Sequence, residues 1–256
     1  MIAPIRTGGT ASPRPDEPPR GRPRRPLLFV AAAVALGCVG AALLVVDLPV
    51  AQWCKGRRLP RELVRILDFS EVFAHGTGAA ILLLVALVLD PALAWPSVRW
   101  PAIRWPSFQP LAAQRNFARM IGATFSGGLI VDCIKAVVAR VRPRAADLAS
   151  QVSAIGTFGD AALSSPTGSH SDLNSFPSGH AAVAAGLAAA LAWKYPHGTV
   201  LFLVLAACAS AQRITTSAHF PSDVAVGTAI GLLGAAIFLG SHPAERLPAD
   251  SGLDRR

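Results

Sequence analysis

The chain has 256 residues, of which 52% are hydrophobic and only 15% charged, and its formal net charge is +9. Soluble globular proteins carry roughly 25% charged residues, and here the apolar residues fall in long blocks rather than in an amphipathic pattern, so the composition excludes an ordinary soluble domain and points to a membrane protein. The positive charge is almost all arginine, with lysine only at Lys55, Lys135 and Lys194. No basic face is interleaved with aromatics, so nucleic acid is not an expected partner, whereas basic flanks are the ordinary accompaniment of membrane spans.

Residues 1–26 hold seven Pro and six Arg with hardly any apolar content, too little to bury a core, and read as a disordered basic tail. Residues 27–46 form an apolar block long enough to cross a bilayer. It is longer than the apolar region of a usual signal peptide and lacks a clean small-residue cleavage site, so an uncleaved first helix is expected. Five further apolar blocks are centred near 72–89, 117–139, 180–194, 198–212 and 221–240. The fourth and fifth are short and are separated by Tyr195-Pro196-His197-Gly198, a strong turn signal that favours two tilted spans over one re-entrant hairpin.

The expected fold is therefore all-α: a polytopic membrane domain of six transmembrane helices over residues 27–240, followed by a polar C-terminal tail over 241–256. Six spans place both termini on one side. With the arginine-rich tail inside, the connections after the first, third and fifth helices face outward. Charge supports this orientation only weakly, because Lys55, Arg57, Arg58, Arg61 and Arg65 in the first outer connection oppose the positive-inside bias. Residues 145–174 read as a polar, Ser-rich loop. Ala, Arg and Pro richness with scarce lysine suggests a GC-rich bacterial source, which makes the inner membrane the expected location, with the outer connections facing the periplasm or exterior.

The cysteines Cys38, Cys54, Cys133 and Cys208 have neither paired spacing nor a neighbouring His at ligand spacing, so neither a disulfide framework nor a zinc site is expected. No metal or other cofactor is expected. His75, near a helix start, reads as interfacial packing and His170 as a loop residue.

Three polar clusters need an explanation, because charge in or beside a membrane span is costly. Lys135 and Arg142-Pro143 stand seven residues apart, nearly two helical turns, so both cations can share one face. Taken alone, this pair reads as snorkelling cations. The second cluster, Pro177-Ser178-Gly179-His180, immediately precedes an apolar block. Ser and Gly there leave helix N-terminal N–H groups free for a phosphate, against the plainer reading of an N-cap with an interfacial His. The third is Arg213, His219 and Asp223. His219 and Asp223 are four apart with the helix-starting Pro221 between them, so the carboxylate can reach back to the imidazole, and Arg213 adds a fork suited to phosphate. Under six spans, all three clusters fall at the outer face.

This order and spacing resemble the signature of the type 2 phosphatidic acid phosphatases: Lys, six residues, Arg-Pro; Pro-Ser-Gly-His; and Arg, five residues, His, three residues, Asp. The resemblance covers residues 117–240, and the first two helices match only in hydropathy. A Ser commonly precedes the Arg of the third motif; here it is Gln212, which can also hydrogen-bond.

The resemblance implies an integral membrane phosphatase acting on a lipid phosphate or pyrophosphate through a phosphohistidine, without metal. His219 would be the nucleophile, oriented by Asp223, and His180 the acid for the leaving oxygen and then the base for water. Lys135, Arg142, Ser178, Gly179 and Arg213 would hold the phosphoryl oxygens. The implied partners are the bilayer and the lipid substrate, with undecaprenyl pyrophosphate, phosphatidylglycerol phosphate, phosphatidic acid and a lipid A phosphate all open. Oligomeric state is not legible. The alternatives are a phosphotransferase of the same fold and, from another class, a non-catalytic transport or lipid-binding protein.

Overall fold

A computed structural model of the chain describes residues 25–56, 59–90, 110–160 and 169–240. The expected disordered tail, apart from its last two residues, and the polar tail over 241–256 lie outside the described residues, as do Arg57, Arg58, residues 161–168 of the Ser-rich loop and the His170 side chain.

The described α-helices are α1 (Arg25–Leu43), α2 (Asp47–Gly56), α3 (Arg61–Ala74), α4 (Gly76–Leu89), α5 (Pro110–Lys135), α6 (Gly179–Lys194), α7 (Thr199–Thr215) and α8 (Pro221–Phe238). Among the described residues no strand forms; Arg140 makes isolated bridges to Phe158 and Asn174. The described chain is all-α, and among the described residues four helical segments are long and apolar enough to cross a membrane: Pro26–Leu43, Arg115–Lys135, Pro196–Thr215 and Pro221–Phe238. The helices α3 and α4 together pass the same test but are bent by 70° at His75.

Two features differ from the expected arrangement of blocks. The charged segment read as the first outer connection is largely helical, forming α2 and α3. In addition, α6 has only 16 residues, about 24 Å at 1.5 Å per residue, and it is buried on nearly every side from Ala181 to Leu191. Its neighbours are α5, α7 and α8, while α1 packs along α8 and α3 along α7. A helix wrapped by other helices needs no lipid-facing length of its own, which is why the shortest apolar block can occupy the centre. The turn expected at Tyr195 to Gly198 is present as a 3-10 turn over Pro196–Gly198.

The bundle is closed by small residues where helices touch. A methyl group added at Gly231 would lie 2.2 Å from the Ala182 carbonyl oxygen, and one at Gly227 would lie 2.3 Å from the Ser178 carbonyl oxygen. Only glycine permits α8 to approach the start of α6 this closely. Over that end of the bundle lies a second apolar cluster. It joins Leu48 and Ala51 of α2 to Val141, Ala146, Leu148, Ala154 and Phe220, with Gln52 and Lys55 donating to the carbonyls of Leu148 and Ala146 at 2.8 and 3.0 Å.

Candidate active site

Each polar cluster is placed by an element end. Lys135 is the last residue of α5, and Arg142 lies in the extended segment beyond it. That segment is laced to its surroundings through backbone bonds from Arg140 to Leu173, from Val141 to Thr157 and from Arg142 to Asp172, at 2.7, 2.9 and 2.7 Å. Ser178 caps α6, its side chain accepting from the Ala181 N–H at 3.4 Å, and its own N–H donates to the Asp223 carbonyl at 3.0 Å. Gly179 and His180 are the first residues of that helix, and a methyl group at Gly179 would sit 3.7 Å from Lys135 Nζ. Arg213 is in the last turn of α7, where the helix dipole favours a cation.

The connection from α7 to α8 is short and tightly folded. Ser217 adopts a positive φ of 54°, and the N–H groups of Ala218 and His219 both donate to the Arg213 carbonyl at 3.1 Å. His219 is thereby tied to Arg213 rather than free in a loop. Pro221 opens α8, and the Asp223 carboxylate turns back to accept from the Phe220 N–H at 2.9 Å.

All eight residues singled out from sequence gather at this end of the bundle. Lys135, Arg142 and Asp223 lie within electrostatic reach of His219, and Lys135, Arg213 and His219 within reach of His180. Arg142 Nε and His180 Nε2 are buried atoms without a hydrogen-bond partner, as are Arg119 Nη1 and Ser126 Oγ elsewhere in the bundle.

His219 is 3% exposed, and its ring geometry fixes its tautomer. Nδ1 lies 2.6 Å from the Ser175 carbonyl oxygen. A carbonyl only accepts, so Nδ1 carries the proton and the lone pair is on Nε2. The Asp223 carboxylate is 3.9 Å from Nδ1, acting through space rather than by a direct hydrogen bond. Burial pushes the His219 pKa below its ordinary 6.5, against the opposing pull of Asp223, so the ring is neutral at neutral pH.

Several neighbours were given no role at the site by the sequence reading. Ser175, besides receiving the His219 proton at its carbonyl, donates its hydroxyl to Asp223 at 2.6 Å. From α3, Glu71 accepts from Arg213 at 2.7 Å and lies 3.8 Å from His180 Nε2. His75, at the α3–α4 bend, stacks edge-on against His180 with ring centroids 5.6 Å apart. Gln212, the departure from the motif, is buried and bridges these groups. Its oxygen accepts from Arg213 Nε at 2.5 Å, and its nitrogen donates to Asp68 and Glu71 at 3.2 and 3.3 Å. A serine could not span that distance. Arg140 and Asp47 form a buried network behind Asp223. The available signal was a single charge in apolar sequence: Asp47 follows Leu43-Leu44-Val45-Val46, and Arg140 lies among Val137, Val138, Ala139 and Val141.

Among the described residues, no group of three or more His, Cys, Asp or Glu side chains is placed to hold a metal ion. What the site offers instead is three cations, a helix N-terminus and a neutral imidazole, an arrangement suited to a phosphoryl group.

Residues 116–246 match the family model described as the PAP2 superfamily. Among curated proteins, the chain is 34% identical over 136 residues to the lipid A 1-phosphatase of Rhizobium johnstonii, an alignment covering 49% of this chain and 51% of that protein. It is 32% identical over 127 residues to the lipid A 1-phosphatase of Rhizobium etli, covering 46% and 49% respectively. The chain thus spans about half the length of the curated relatives it matches. No solved structure matches it.

Proposed function

Because the chain belongs to the PAP2 superfamily, we propose that it is a metal-independent membrane phosphatase that removes phosphate from a lipid through a phosphohistidine on His219. The observation that carries this reading is the Ser175 carbonyl at 2.6 Å from His219 Nδ1. It commits the lone pair to Nε2, the nitrogen then available to attack phosphorus, within the field of Lys135 and Arg142. Lys135, Arg142, Arg213, the Ser178 hydroxyl and the Gly179 N–H hold the phosphoryl oxygens where negative charge must be stabilised. In the first step the P–O bond to the lipid breaks as the Nε2–P bond forms, and His180 gives its proton to the departing oxygen. In the second, His180 takes a proton from water, whose oxygen displaces His219 and releases inorganic phosphate. Asp223 supports the positive charge that His219 acquires.

The names of the curated relatives favour a lipid A phosphate among the lipid phosphates considered. The proposed topology has six spans, counting the bent α3–α4 pair and the buried α6, with the site at the outer face of the inner membrane. The membrane-forming unit is proposed to run over 27–240, between two tails.

The direct test is phosphate release by purified protein in detergent from lipid A, phosphatidic acid, phosphatidylglycerol phosphate and undecaprenyl pyrophosphate, with and without EDTA. Release from at least one, undiminished by EDTA, is expected. Failure with every lipid would remove the phosphatase reading, and loss on chelation restored by magnesium would remove the metal-free mechanism. Topology is tested at Val152, which is fully exposed. In a cysteine-free variant, Val152→Cys is expected to react with an impermeant thiol reagent in intact spheroplasts. Labelling only after lysis would place the site on the other side.

A further inference from the structure

Arg140 belongs to none of the three clusters, yet among the described residues it is the largest fully buried side chain, at 0% exposure. It has no route to a substrate phosphate, because its N–H groups are directed into the protein. Nε donates to Thr157 Oγ1 at 3.0 Å, Nη1 to Ser222 Oγ at 2.8 Å and also to Asp223 Oδ1, and Nη2 to Asp47 Oδ2 at 2.7 Å. The guanidinium is held between the rings of Phe158 and Phe220, with centroids 4.3 and 4.1 Å away. Its backbone serves the same neighbourhood: the Arg140 carbonyl accepts from the Ser175 N–H at 3.0 Å, and Ser175 in turn holds both His219 and Asp223.

Asp47 comes from the first residue of α2, well outside the region that matches the family model. It is fully buried, and every contact it makes is to a donor: Arg140, the Ser222 N–H at 3.0 Å, and the Ser222 hydroxyl. Asp223 likewise meets only donors, in Arg140, Ser175 and the Phe220 N–H. One cation therefore stands between two carboxylates. If Asp47 were neutral, the Arg140 charge beside Asp223 would be uncompensated and would oppose more of the field that Asp223 exerts on His219 across 3.9 Å. Burial in a low dielectric makes this division of charge consequential.

We infer that Asp47 and Arg140 are positioning residues for the His219–Asp223 pair, Asp47 offsetting part of the field of the Arg140 cation so that the pair leaves a net negative field at the nucleophile. The inference rests on the reading of His219 as nucleophile. It makes the N-terminal helices part of the catalytic apparatus and not merely a membrane anchor. The ionisable groups that face His219 are Asp223 from α8, Lys135 from the end of α5, Arg142 from the segment after it, and His180 from α6, and none of them is altered in the test.

The test compares the pH dependence of kcat/KM for lipid phosphate hydrolysis in full-length Asp47→Asn, Asp47→Asn with Arg140→Gln, and Ser222→Ala, alongside His219→Ala. In Asp47→Asn the uncompensated Arg140 weakens the field of Asp223, so the acid limb moves to lower pH. There kcat falls roughly ten- to hundredfold, the range over which outer partners tune a site, with KM nearly unchanged. The double variant frees Asp223 from its cation, so its acid limb moves to higher pH, and it serves alone if the single variant does not fold. Ser222→Ala breaks hydrogen bonds in the same cluster without changing charge, and its acid limb stays in place. Limbs that coincide with the wild type in both Asp47 variants, or activity lost only in proportion to folded protein, overturn the inference while leaving the proposed function intact. Turnover retained by His219→Ala overturns the nucleophile assignment, and the inference with it.

Discussion

The central helix α6 has charged or polar groups at both ends, and the two ends are built on different plans. At its C-terminus, Lys194 lies 3.2 Å from Asp90 and the Tyr195 hydroxyl donates to the same carboxylate at 2.9 Å. Cation and carboxylate close on one another, each partly exposed. At its N-terminus Arg213 also pairs with a carboxylate, Glu71, at 2.7 Å, but Lys135 and Arg142 face a buried neutral His219 whose proton is engaged by a carbonyl, and Asp172 and Asp223 near them accept from other donors. Charge at the edge of a membrane bundle is therefore not by itself a sign of chemistry. The distinction lies in whether the positive charge is consumed locally or left directed at a shared point.

The strongest way to break this comparison is His219→Ala. If the N-terminal end of α6 is catalytic, the variant is expected to lose turnover by about four orders of magnitude or more, as loss of a covalent nucleophile does. Labelling quenched in alkali, where a phosphohistidine is stable, should find phosphoenzyme in the wild type and none in the variant. Label that survives on His219→Ala would assign the nucleophile elsewhere.

A smaller effect is expected from Gly227→Ala. The new methyl group would meet the Ser178 carbonyl at 2.3 Å, so α8 and the start of α6 must separate. Overpacking of this kind costs about 1–3 kcal/mol, and displacing Ser178 from the phosphoryl group should lower kcat/KM by up to about a hundredfold. Comparing thermal stability with turnover checks this, since Gly227→Ala should impair turnover more than its loss of stability explains.

The pH profile sharpens the comparison without mutation. Protonation of His219 removes the Nε2 lone pair, and burial holds its pKa below 6.5. Protonation of His219 should therefore limit activity only below pH 6.5, while loss of the proton that His180 donates limits it on the alkaline side; the limbs of kcat/KM report the free enzyme. An acid limb at or above 6.5 would contradict a buried neutral nucleophile.

The least effect is expected at the other end. Lys194→Ala removes one member of a partly exposed pair, which should cost on the order of 1 kcal/mol or less and leave kcat/KM within about twofold, measured on the same lipid. A large loss there would erase the distinction between the two ends.

Much of this end was legible in the sequence because its spacing is local. His219 and Asp223 must share the start of one helix, and Ser178 must cap the next apolar block, whatever the rest of the chain does. The apolar blocks likewise marked α1, α5, α7 and α8. The bend at His75 was not legible, since hydropathy reports how apolar a segment is and not whether its axis turns by 70°. Nor was the central position of α6, because an Ala-rich helix has the same hydropathy whether lipid or protein surrounds it. Gln212 read as a small departure, yet it bridges Arg213 to Asp68 and Glu71, which only the packing of α3 against α7 could reveal.

The sequence by itself determined an all-helical, membrane-type chain and the three clusters, because helical periodicity and capping act over a few residues. Tertiary structure alone decided which groups face the nucleophile from afar. It placed the Ser175 carbonyl on His219 Nδ1, Glu71 on Arg213, and Asp47 on Arg140 across 93 residues of sequence. A buried charge must find its counter-charge wherever packing supplies one, and no local rule specifies that partner.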